Sequence, residues 1–271
     1  MTPNAISWLV AVPLALAVTA IVFISDEEGW GPWPTIGLAF AVLIVGAGAY
    51  AIWYLRRKKQ RAIQIPKAMA PLGLHPIDPV AGRAVAALPF GLFTRGSNGT
   101  VENTVGANVG DRTITMFDYQ YSRHGYNART GSSTEHTFEF SCGVVSVPGS
   151  LPSLSIDREG VLSRVARAIG IEDVETGDEA FDRAFKVRAE DPAAARDLLT
   201  PDLRAFLLSV DDRWSFEIRA GWLLCWAKQL PVRELGDLHD VAWRCVAKLP
   251  AWWPSRGRSP CPAHSWSARD P

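Results

Sequence analysis

The residue types able to carry catalysis or hold a metal come nearest to one another at Asp118, His124, His136 and Cys142. A carboxylate, imidazoles and a thiolate are the usual ligand types of a zinc-like centre, and a thiol beside an imidazole is the pair from which a cysteine nucleophile is made. A hairpin could bring the four together. Against this, His124 falls in a polar loop and His136 at the start of a strand. Cys142 continues the alternation of Phe138 and Phe140 and so reads as a core thiol. The catalytic residues are therefore left unassigned, and these four are the metal or nucleophile candidates.

Other chemistry is sparser. Asp178, Glu179, Asp182, Glu190 and Asp191 form an acidic region that lacks the alternating acids, central Gly and closing Glu of a calcium loop, so it reads as a solvated turn. Trp214, Trp222, Trp226 and Trp243 could line a pocket, although alternating aromatics on a helix-covered sheet are first of all core. Cys142, Cys225 and Cys245 lie on apolar patterns and Cys261 in the tail, with no C-x-x-C spacing, as expected of free thiols in a reducing compartment. No P-loop, dinucleotide fingerprint, H-E-x-x-H or G-x-S-x-G occurs, and no cofactor is implied. The 28 basic residues balance the 28 acidic ones, which argues against a nucleic-acid partner.

The elements that must position these residues begin in a membrane. Residues 6–24 and 35–54 are apolar, free of ionisable side chains, and each close to the roughly 20 residues that cross a bilayer. They predict a helical hairpin. Its connection carries Asp26, Glu27 and Glu28, whereas the second span is followed by Arg56, Arg57, Lys58, Lys59 and Arg61. The positive-inside rule then places both termini in the cytosol and the connection between the spans outside. The same five residues form a membrane-surface site that could also engage anionic lipid headgroups. With no charge in either span, the hairpin reads as a tether rather than a transport path.

Residues 62–89 read as a linker, 90–250 as a cytosolic domain and 251–271 as a disordered tail. The domain opens with strands over 100–109 and 112–121 around Gly110-Asp111, a polar loop over 122–133 and a strand over 134–147. Next come a helix over 161–169 with Asp157 as its N-cap, a strand over 181–189, and short helices after Asp191-Pro192 and Thr200-Pro201. A strand pair turns at Gly221, and Leu235, Leu238, Val241, Ala242, Cys245, Val246 and Leu249 form one helical face. This order predicts an α+β fold with a mainly antiparallel sheet and helices on one face.

At Phe117-Asp118-Tyr119-Gln120-Tyr121, Leu151-Pro152-Ser153-Leu154, Phe181 to Val187 and Leu198-Leu199-Thr200-Pro201 the chain resembles a group of uncharacterised actinobacterial two-span membrane proteins. The resemblance covers roughly 89–250 and implies a transmembrane hairpin followed by a cytosolic domain; it implies no activity, cofactor or catalytic residue. The expectation drawn from the whole sequence is a non-enzymatic, membrane-anchored interaction or scaffold module with an unknown protein partner. One alternative is a tethered enzyme or metal-binding domain using Asp118, His124, His136 and Cys142; the other is a subunit of a larger membrane complex.

Overall fold

The computed structural model describes residues 32–127, 132–158 and 172–250. The predicted first span, the whole of the predicted 161–169 helix and the 251–271 tail lie outside the described residues. The chain divides into two compact units, Met1–Arg61 and Ala62–Pro271.

Helix α1 runs from Pro32 to Met69, and the division between the units falls within it. Among the described residues it is the one helix long and apolar enough to cross a membrane. Phe40, Ile44 and Val45 are 62%, 69% and 70% exposed. Arg57 lies 5.7 Å from the Trp53 ring centre and Lys58 5.6 Å from that of Tyr54, so the basic edge stacks on the aromatic end of the apolar stretch.

Among the described residues of the second unit nine strands form one antiparallel sheet: β1 (His75–Pro76), β2 (Ser97–Val109), β3 (Arg112–Asn127), β4 (Ser132–Ser146), β5 (Leu154–Arg158), β6 (Glu172–Val174), β7 (Phe185–Ala189), β8 (Ser215–Arg219) and β9 (Trp222–Lys228). Their order is β1-β2-β3-β4-β9-β8-β5-β7-β6. The β8–β9 turn holds Ala220 and Gly221 at φ 49° and 80°, the paired left-handed residues that suit a two-residue hairpin.

One face of the sheet is packed by helices. Leu238, Ala242 and Cys245 of the helix Leu235–Lys248 join Phe181, Leu198, Leu203 and Phe206 from the shorter helices Glu179–Ala184, Pro192–Leu198 and Pro201–Ser209, and Ile65 and Met69 from the end of α1. The α+β reading with a large antiparallel sheet describes this unit, but the helices are not confined to one face, because the helix Pro79–Val85 sets Val85 against the other. The other face carries a second cluster, in which Phe117, Tyr119, Tyr121, Phe140, Leu224 and Trp226 are covered by Val85, Phe90 and Leu92.

Four local expectations are corrected. Residues 62–89 are not a linker: they finish α1, supply β1 and the helix Pro79–Val85, and bury Ile65, Met69, Leu74 and Val85. Within 122–133, residues up to Asn127 and from Ser132 onward belong to β3 and β4, because cross-strand pairing carries a polar but Thr-, Ser- and His-rich sequence into a ribbon. Residues 179–184 are helical before β7, because Asp178 caps the turn by accepting from Phe181 N–H at 3.2 Å. Asp157 pairs with Lys186 inside β5 and is no helix cap.

Candidate functional site

The register of β3 against β4 decides the fate of the four candidates. Asp118 faces Ser141 and Cys142 faces Phe117, so the carboxylate and the thiol lie on opposite faces of the sheet. His124 faces Glu135 and His136 faces Arg123, again on opposite faces, and both histidines are exposed. His124 lies six positions beyond Asp118, about 20 Å along the strand. The constellation is thus not assembled, and among the described residues no group of three or more His, Cys, Asp or Glu side chains could hold a metal ion.

Asp118 instead anchors a buried polar chain. Asn103 Nδ2 donates to its Oδ2 at 2.7 Å, Ser141 Oγ donates to its Oδ1 at 3.1 Å, and Leu230 N–H donates to Ser141 Oγ at 3.1 Å. Asn103 holds φ 56°, a left-handed conformation that Asn tolerates better than most residues, at a register shift between β2 and β3. The chain ties β2, β3, β4 and the exit of β9 together. The hollow beside it, lined by Met69, Asn103 and Asp118 among others, measures about 10 Å³, room for little more than one water.

The thiols are no better suited to chemistry. Burial, reinforced by the Asp118 charge, pushes the Cys142 thiol well above its ordinary range. Burial does the same to Cys225 and lifts Cys245 to about 12. Such groups stay protonated and inert. The four tryptophans do not share a pocket either: Trp214 is buried in the helix-packed core and Trp226 on the opposite face. Of the acidic region, Asp178 and Asp191 are helix caps, and Asp182 accepts from the N–H groups of Thr176 and Gly177. Its carboxylates serve local turns.

A polar cluster that alternation alone would leave in solvent lies on the second face. Glu217, between Phe216 and Ile218 on β8, is 3% exposed, because the segment after Phe90 crosses over it. Gly91 N–H donates to both Glu217 oxygens at 2.8 and 3.0 Å, and Arg219 Nε stands 3.3 Å from Oε1. Nearby Asp157 has Arg188 at 3.8 Å, and the Arg95 guanidinium sits 5.7 Å from the Trp226 ring centre. Burial raises both carboxyls above their usual range, while Gly91, Arg95 and Arg219 pull Glu217 back and Arg95, Arg188 and Ser215 pull Asp157 back. Paired charges of this kind fasten the 90–95 segment to the sheet. The sequence signal was weak: a single acid in an apolar strand, five positions before Trp222.

A further exposed feature is the ribbon formed by the ends of β3 and β4. β2 stays beside β3 only as far as Ser97↔Ser122, and β9 beside β4 only as far as Phe140↔Lys228. Beyond those rungs, among the described residues, 123–127 and 132–137 pair only with each other, and 133–137 are exposed. Arg123 braces its base, 5.6 Å from the Tyr121 ring centre and 5.8 Å from that of Phe138.

No family model and no curated protein matches the sequence. Among solved structures, the crystal structure of the mycobacterial trehalose monomycolate transport factor A, TtfA, is similar over 69% of this chain and 91% of that chain, with a TM-score of 0.50 and 12% sequence identity. At that identity the likeness is one of fold alone.

Proposed function

We propose that this protein is a membrane-anchored, non-enzymatic accessory module for a transport process at the inner membrane, its α+β domain held on the cytosolic side to dock a protein partner. The observation that carries this reading is the exposed apolar length of α1, continuous in sequence with a domain whose chemistry-bearing residues are scattered over two sheet faces. An enzyme would gather them. The positive-inside asymmetry around Arg56 to Arg61 supports the cytosolic placement. The fold shared with a protein described as a transport factor supports the transport setting.

The test is depletion in the native host with profiling of extractable envelope lipids. Depletion should alter the profile, and both the wild type and a His124→Ala/His136→Ala variant should restore it equally. An unchanged profile would remove the transport role. Loss of rescue by the double histidine variant, at normal membrane levels, would restore the enzyme reading.

A further inference from the structure

An exposed row of unpaired backbone N–H and C=O groups invites another strand, and natural sheets blunt their edges against it. This sheet does so at both ends. β1 is two residues long and ends in Pro76, and β2 behind it is broken by register shifts with Asn98 and Asn103 at φ 57° and 56°. At the far end β6 has three residues. The β3–β4 ribbon has no such guard: pairing runs unbroken from Ile114↔Val145 to Asn127↔Ser132, and its strand residues include neither Pro nor Lys.

The direction of the free groups follows from the last rung of β9. Gln229 N–H donates to Glu139 O at 3.0 Å, so Glu139 turns its backbone groups toward the β9 side. By the two-residue period of a strand, Ser133, Glu135 and Thr137 do the same, with no strand beside them among the described residues. Glu135 faces His124 and Glu139 faces Gln120, which puts the two carboxylates four residues apart on one face.

We propose that this edge of β4 accepts an extended, basic segment of a partner protein as an added strand, in the lane that β9 vacates beyond Lys228. The proposal rests on the reading of the protein as an interaction module. The added strand takes the outward hydrogen bonds of Ser133, Glu135 and Thr137, and its basic side chains meet Glu135 and Glu139. A second copy of the chain fits worse. Two such edges paired about a two-fold axis at Glu135 set like charges directly opposite each other.

The experiment uses the full chain in nanodiscs and a fluorescent ten-residue peptide of threonine and valine with lysines four positions apart, followed by anisotropy. Thr137→Pro deletes one outward N–H and leaves the bonds to β3, which the even-numbered residues of β4 make. We expect Thr137→Pro to weaken binding about tenfold or more. Glu135→Lys/Glu139→Lys should lose the lysine peptide and gain its glutamate counterpart, which keeps the test intact should the proline variant fold poorly. Absence of peptide binding by the wild type, binding indifferent to both variants, or ribbon-mediated self-association in its place overturns the proposal. Such a failure alongside full rescue by His124→Ala/His136→Ala would leave the module reading standing.

Discussion

Replacing Glu217 tests whether the polar cluster on the second face holds the 90–95 segment down. The carboxylate is 3% exposed and receives Gly91 N–H at 2.8 and 3.0 Å with Arg219 at 3.3 Å. Alanine leaves the Gly91 N–H without its acceptor and Arg219 without its nearest charge. Deleting one partner of a buried pair costs about 3–5 kcal/mol. Because the Arg219 side chain is 26% exposed and reaches water, the lower end, about 3 kcal/mol, is the expectation. Glutamine keeps a carbonyl oxygen for Gly91, and because burial disfavours the charge at this site its cost should be clearly smaller than that of alanine.

The assay is urea unfolding of the full chain in detergent, followed by tryptophan fluorescence at several pH values. Burial holds the folded pKa of Glu217 above its ordinary 4.5, so the folded state takes up the proton first as pH falls. The wild type therefore gains stability relative to Glu217→Gln as pH drops through that raised pKa toward 4.5, and this contribution is lost as pH rises back through it. Asp157 titrates in the same sense, and its charge is one of the causes that raise Glu217. An alanine cost under about 0.5 kcal/mol, or equal costs for glutamine and alanine, would refute the reasoning.

Two further outcomes follow from packing. In a Cys261→Ser background, Cys142, Cys225 and Cys245 should resist iodoacetamide at pH 8 in the folded protein and react together in urea; rapid labelling of any one in the native state would contradict their burial. Gly143→Ala should be tolerated, within about 0.5 kcal/mol of wild type, since a Cβ there meets Leu238 and Ala242 at ordinary contact distances of 3.6 and 3.8 Å. Gly96→Ala should cost more than about 2 kcal/mol, because φ is 86° and its Cβ would lie 2.4 Å from the Ser122 carbonyl oxygen. Equal melting temperatures for the two alanine variants would overturn that contrast.

Local chemistry made much of the fold legible. Asp191-Pro192 and Thr200-Pro201 start helices because a capping side chain followed by a fixed φ needs no tertiary help, and Gly110-Asp111 and Gly221 turn hairpins for equally local reasons. The helix Leu235–Lys248 was readable because its apolar face repeats at helical spacing. The segment 179–184 was misread because its apolar Phe181, Ala184 and Phe185 suit either period, and the Asp178 cap tips it to helix. The ribbon was hidden because its residues are polar, and only pairing with an equally polar partner keeps them extended.

By itself, then, the sequence determined the apolar length of α1, its basic edge, the α+β order of elements and the burial of three cysteines, all of which depend on side-chain type and short-range period. Tertiary structure alone decided the rest. Strand register sent Asp118 and Cys142 to opposite faces, and the crossing of residues 90–95 turned Glu217 from a solvent position into a buried anchor. The lengths of β2 and β9 left the end of β4 unpaired. The reason is common to all three: which face a strand residue occupies is local, but what covers that face, and what stops beside it, is set by segments distant in the chain.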